Sequence, residues 1–340
     1  MTEPQLPRNA LDGAADSSVV HRRLPPNAAI DAANSETTRD RMRASWQRAV
    51  EFVGSADEVI QRMSGRNLML AIAIGLSGGA IFVLSLVFVK VVFVVFVAAI
   101  VGFAVPELAI ALRRRALRVP VLPSTVAGIA LVVLPYFRGE GAQWLTLLAG
   151  AVLVMLWRLL EQLVPRMRTA PGALVRDLAA SVFVLVYVPF LASFATMLTS
   201  YDGGEWWILA GLIVVVAVDV SAYAVGRSLG HHHLAPRISP NKTWEGTAGA
   251  ALGALLAGVL LAVFMLQQPW WVGLLLGSVV VVVATLGDLG ESEIKRELGV
   301  KDMSNWLPGH GGFLDRLDSM LPSCAVAFAA YLVFAPGAPL

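Results

Sequence analysis

This chain of 340 residues has one cysteine, Cys324, so it can form no internal disulfide, and no thiolate cluster is available to hold a metal. Charge is scarce too: 15% of residues are Asp, Glu, Lys or Arg, against 57% hydrophobic. That balance, with a mean hydropathy of +0.70, excludes an ordinary soluble domain and indicates an integral membrane protein. The formal net charge of +2 is uninformative as a total. The distribution of the charges carries the information.

Residues 1 to 60 mix Pro, Ala, Asn, Asp and Arg without apolar periodicity and read as a disordered or weakly helical cytoplasmic tail. They contain no apolar core of a secretory signal, and Arg22-Arg23 is followed by LPPNAA rather than by a hydrophobic stretch. Residues 61–340 form the membrane domain. A spanning helix needs roughly 20 mostly apolar residues, and that template fits nine times: 68–87, 91–108, 119–137, 143–161, 178–199, 206–226, 246–266, 269–287 and 318–337. The expected fold is all-α, a polytopic bundle of about nine transmembrane helices. With the N-terminus in the cytoplasm and the C-terminus outside, nearly all Lys and Arg at the span ends and between spans, including Arg113 to Arg115, Arg158, Arg166 and Arg168, fall inside. Lys90 and Arg138 fall outside. Tryptophans 144, 206, 207, 270 and 271 sit near the outer boundaries, as an aromatic belt would.

One segment breaks the apolar pattern. From Asp288 to Ser319 the chain holds eleven charged residues and a histidine between two apolar runs. Charges at a membrane edge are costly unless partners or function offset them. If the eighth span continues as helix, Asp288, Glu291, Ser292 and Lys295 fall at i, i+3, i+4 and i+7 on one face. After the turn from Pro308 to Gly312, Asp315 and Asp318 again share a face. Two helix ends bearing carboxylates, joined by a glycine-rich loop, suit Mg²⁺ and a polyphosphate, because Mg²⁺ takes one or two carboxylates and leaves its other positions to phosphate oxygens and water. A plain solvated loop with capping acids is the competing reading, and it suits Glu293, Glu297 and Asp302 better than the three aspartates.

A second group lies between the sixth and seventh spans. Asp219 is a carboxylate inside an apolar helix, and the SPNKT turn at residues 239 to 243 offers Ser239, Lys242 and Thr243. The run His231 to His233 reads as solvated surface, since consecutive histidines cannot face one metal. Glu107, after Pro106, closes the second span and is either functional or exposed.

The run S-x-x-K-R from Ser292, the pair Lys301-Asp302 and P-G-H-G-G-F-L-D-R-L-D from Pro308 to Asp318 together resemble the signature of the phosphatidate cytidylyltransferases, the CDP-diacylglycerol synthases. The segments GDLGES and SPNKTWEG look like that family as well, and the resemblance covers about residues 67 to 340. It implies transfer of CMP from CTP to phosphatidic acid, Mg²⁺ dependence with a second metal ion compatible, and a homodimer in the cell membrane whose site faces the cytoplasm. Asp219, Asp288, Asp315 and Asp318 are then the expected metal ligands. Lys295, Arg296 and Arg316 would neutralise phosphate, with His310 shaping the loop above it. Ser239, Lys242, Thr243, Ser292, Lys301, Gly311 and Gly312 would bind substrate. No nucleic acid partner is expected. A CTP-dependent polyprenol or phytol-type lipid kinase would share this chemistry but release CDP. A secondary transporter would use Asp219 as its coupling site, at odds with a charge cluster that lies at the membrane edge.

Overall fold

The computed structural model describes residues 67–235, 239–304, 306 and 312–335. The expected tail at 1 to 60 lies outside the described residues, as do His310 and Gly311. Each expected span contains a helix: α1 (Asn67–Phe88), α2 (Lys90–Leu112), α3 (Val121–Arg138), α4 (Glu140–Glu161), α5 (Pro171–Leu198), α6 (Gly204–Leu229), α7 (Trp244–Phe264), α8 (Trp270–Leu298) and α9 (Met320–Phe334). Among the described residues seven of these, α2 to α8, are long and apolar enough to cross a membrane. Their outward faces carry large apolar side chains such as Leu122, Leu145, Leu252 and Phe264, each exposed by 69% or more. A soluble protein would aggregate through such faces, whereas a bilayer solvates them.

Local chemistry sets the helix ends. Pro171 opens α5 at a position where its missing N–H costs nothing. Thr243 caps α7, its Oγ1 accepting the Gly246 N–H at 3.1 Å. α8 stops at Gly299, which takes the left-handed φ of +69° while the Gly299 and Val300 N–H groups close on the Arg296 and Lys295 carbonyls. Within α5, residues Val186–Phe190 widen into a π turn that accommodates Pro189, whose ring and missing N–H a regular helix would not tolerate.

Four expectations are corrected. The fifth helix begins at Pro171, not at 178. Arg158 is not a loop charge: it is fully buried and its Nη2 and Nε donate to Asp177 Oδ2 at 2.7 and 3.1 Å. Asp177 Oδ1 accepts the Arg118 N–H at 2.8 Å, so the pair pins α4, α5 and the loop before α3. The SPNKT segment is not a turn but a strand, β2 (Ser239–Thr243), antiparallel to β1 (His233–Ala235), and Trp207 is buried rather than in a belt.

The helices approach closely where they lack side chains. A Cβ on Gly258 of α7 would lie 2.3 Å from the Gly273 carbonyl oxygen of α8, and the reverse contact is equally short. Small residues allow such backbone contact, which is how helices associate where lipid removes the hydrophobic drive. At one end of the bundle Lys90 pairs with Glu205 at 3.1 Å, and the Tyr331 hydroxyl donates to the Asp202 carbonyl at 3.1 Å. At the other end Arg115 meets Glu297 at the end of α8.

Candidate active site

Three helices and the hairpin build a cavity of about 280 Å³ lined by Asp219 and Tyr223 of α6, Lys242 and Thr243 of β2, Gly246 and Ala250 of α7, and Ala284 and Asp288 of α8. The strand brings Lys242 across the opening, where its Nζ lies 2.5 Å from Asp288 Oδ2. The cavity thus gathers two carboxylates and an ammonium from segments up to 69 residues apart in sequence, Asp288 minus Asp219. Ser239, at the far end of β2, is half-buried.

A second group begins one turn further along α8. Lys295 Nζ donates to Glu291 Oε2 at 3.2 Å and to Asp315 Oδ1 at 3.0 Å. Asp315 is fully engaged, since its Oδ2 also accepts the Gly312 N–H at 2.8 Å and the Met303 N–H at 3.1 Å. Gly287 lets the chain at Asp318 press on α8, because a Cβ there would fall 2.3 Å from the Asp318 carbonyl oxygen. The spacing on α8 links the two groups, and the Ser292 hydroxyl reaches back to Asp288 Oδ1 at 3.4 Å. Arg296, Lys301 and Arg316 stand exposed at the solvent edge.

The two aspartates of the last motif differ in electrostatics. Burial pushes Asp315 up, but the Gly312 amide and the Lys295 ammonium outweigh it and hold the carboxyl below its ordinary value. Burial and the neighbouring charge of Asp288 raise Asp318 above its ordinary value, although the Ser319 N–H donated to its Oδ1 pulls the other way. Asp315 is therefore a stable anion serving the loop. Asp318 is a half-buried acid beside a second carboxylate.

Two residues outside the expected set belong to this site. Glu291 is fully buried, and its Oε1 has no hydrogen-bond partner among the described residues. Its place on the Asp288 face was visible in the spacing, but its burial was not. The buried hydroxyl of Tyr187, in the π turn of α5, also has no hydrogen-bond partner among the described residues. Among the described residues no three His, Cys, Asp or Glu side chains stand close enough together to hold a metal by themselves. The donor set still fits a hard cation completed by substrate. Asp288 and Asp318 are mutually repelling carboxylates, Glu291 keeps an orphaned oxygen beside them, and Mg²⁺ binds through one or two carboxylates plus phosphate oxygens.

The sequence profile of the cytidylyltransferase family matches residues 69–334, which include every element of both groups. The chain belongs to the cytidylyltransferase family. This family member is similar to the phosphatidate cytidylyltransferase of Mycobacterium bovis, with 42% identity over 272 residues that cover 78% of this chain and 88% of the relative. It is also similar to the phosphatidate cytidylyltransferase of Mycobacterium leprae, with 42% identity over 278 residues covering 78% and 88%. The enzyme of that name from Brucella abortus is 38% identical over 152 residues, 44% of this cytidylyltransferase and 56% of the relative.

Proposed function

We propose that this protein transfers CMP from CTP to phosphatidic acid, forming CDP-diacylglycerol and pyrophosphate for phospholipid synthesis. The observation that carries the reading is the family match over residues 69–334 joined to a cavity in which the motif residues Lys242 and Asp288 meet inside the membrane domain. The lipid phosphate is already an anionic nucleophile. One of its oxygens attacks the α-phosphorus of CTP, the bond from that phosphorus to the bridging oxygen breaks, and pyrophosphate leaves. No protein nucleophile is needed. The protein's tasks are alignment and neutralisation of charge.

Asp288 and Asp318 would hold Mg²⁺, with Asp219 and Glu291 beside them and a second metal ion compatible. When bound, the ion withdraws charge from the triphosphate and steadies the leaving pyrophosphate. Lys242, paired with Asp288 at rest, turns to a phosphate when substrate enters, and Asp288 is released in the same exchange. Lys295 fixes the loop through Asp315 and adds positive charge, and Arg296 and Arg316 extend that charge to the cytosol. Ser239, Thr243, Ser292, Lys301 and Gly312 would line the approach of the substrates, while Gly311 and His310, outside the described residues, keep the substrate-binding and loop-shaping roles that the family resemblance implies.

The same reading takes nine spans with the N-terminus in the cytoplasm and the C-terminus outside, in the cell membrane, and a homodimer as the working assembly. The nine helices and the arginine-rich segments after α2 and α4 support this orientation, because the site shares an end with Arg115. The direct test is incubation of purified protein with labelled CTP and phosphatidic acid in mixed micelles, with and without Mg²⁺. Pyrophosphate and CDP-diacylglycerol are expected only with the ion. Release of CDP with a phosphorylated lipid would replace the reading with a lipid kinase.

A further inference from the structure

Glu107 lies in α2, away from both signature segments, yet it is 2% exposed and aimed at the last motif. One carboxylate oxygen accepts the Ser304 hydroxyl, and the other accepts the Leu314 N–H at 2.9 Å. Those partners stand on either side of the glycine-rich segment. Gly312 lies against the same carboxylate: a Cβ there would fall 1.8 Å from Glu107 Oε1 and 3.2 Å from Asp315 Oδ2. Phe313, the neighbour of both, stacks on Phe103 one turn earlier in α2, with ring centroids 5.0 Å apart. A charged group buried in a spanning helix is costly unless it has partners, and here its partners are the two ends of one loop.

We infer that Glu107 is a positioning residue for the nucleotide site. It pins both ends of the segment between Ser304 and Leu314 to α2, and so fixes where Gly312, Asp315 and Asp318 stand relative to α8. Glu107 acts through the loop: it holds the chain at Ser304, Gly312 and Leu314 rather than reaching the reacting phosphates itself. The inference rests on the proposed cytidylyl transfer for its kinetic consequence but not for its structural one.

The chemistry of the pin separates shape from charge. Glutamine in place of Glu107 keeps both bonds, because its carbonyl can accept from Leu314 while its amide donates to the Ser304 oxygen. Leucine has similar bulk and keeps neither. In the purified full-length protein, hydrogen exchange of peptides covering residues 303 to 317 should be at least about tenfold faster for Glu107→Leu than for wild type, and near wild type for Glu107→Gln. With turnover measured, the KM for CTP should rise about tenfold in Glu107→Leu, the KM for phosphatidate should change far less, and Glu107→Gln should restore the CTP value. Unchanged exchange in Glu107→Leu would overturn the pin. A glutamine variant as impaired as leucine would show that charge, not position, matters, and would overturn the role. If Glu107→Leu itself fails to fold, Ser304→Ala removes one bond and should raise exchange and the KM for CTP by a smaller factor in the same peptides; wild-type values for both would be decisive against the proposal. Wild-type protein without turnover, but with the exchange pattern above, would remove cytidylyl transfer and leave the pin standing.

Discussion

Single side chains at this site do separate jobs, and magnitudes tell them apart. The Lys242–Asp288 pair is partly exposed, with side chains 25% and 36% accessible, so its contribution to stability is small, about 0–1 kcal/mol. Lys242→Ala should therefore leave the melting temperature nearly unchanged while raising the KM for CTP about tenfold, a split that steady-state kinetics beside thermal unfolding would reveal. Asp318→Asn removes a carboxylate proposed for Mg²⁺ and should abolish turnover at any metal concentration while the protein still folds. Asp315 is opposite in kind. Its carboxyl sits below the ordinary 3.8, so its stabilising contribution is complete above that value and fades only as pH falls through the lower folded one. The loss of melting temperature in Asp315→Asn should accordingly be the same from about pH 5 to about pH 8; a loss that shrinks across that window would contradict the assignment. The sequence displayed the aspartates because each borders an apolar run. It also placed Glu291 on the Asp288 face and Glu107 at the end of a span, but not their burial, since a carboxylate's partners are brought to it by other helices.

At the scale of elements, hydropathy located a helix in every expected span, because a spanning segment must satisfy its own backbone and is apolar throughout. It misplaced the start of α5, because reading by hydropathy stops at a charge such as Asp177 and cannot see the guanidinium that neutralises it. Removing one member of that buried pair leaves the other unpaired, so Asp177→Ala should destabilise the protein by about 3–5 kcal/mol, measured as loss of folded protein after mild heating in detergent. The strand at Ser239–Thr243 was equally hidden: Ser, Pro and Asn are turn formers, and the pairing that makes them a strand comes from His233 and Ala235. The hairpin matters because it carries Lys242 over Asp288.

For the whole molecule, the distribution of arginines gives an orientation that can be read chemically. Cys324 is the chain's one thiol, so a Cys324→Ser background permits single reporters. Asp202→Cys should react with an impermeant maleimide from outside intact cells, and Lys301→Cys only after the membrane is opened. The opposite pattern would invert the proposed topology.

The cavity between α6, α7 and α8 is narrow, about 280 Å³, near the lower bound of pockets that enclose a whole small ligand. Its neighbours on α6 and α8 turn outward: Val220, Val282 and Leu286 are each at least 56% exposed. Such a site can hold a headgroup while the fatty tails never leave the hydrocarbon around the protein. The enzyme would then measure phosphate and glycerol, and leave chain length and unsaturation to whatever the bilayer supplies. Phosphatidates differing only in their tails should compete on nearly equal terms in fluid vesicles, so that the acyl composition of the product pool mirrors that of its precursor.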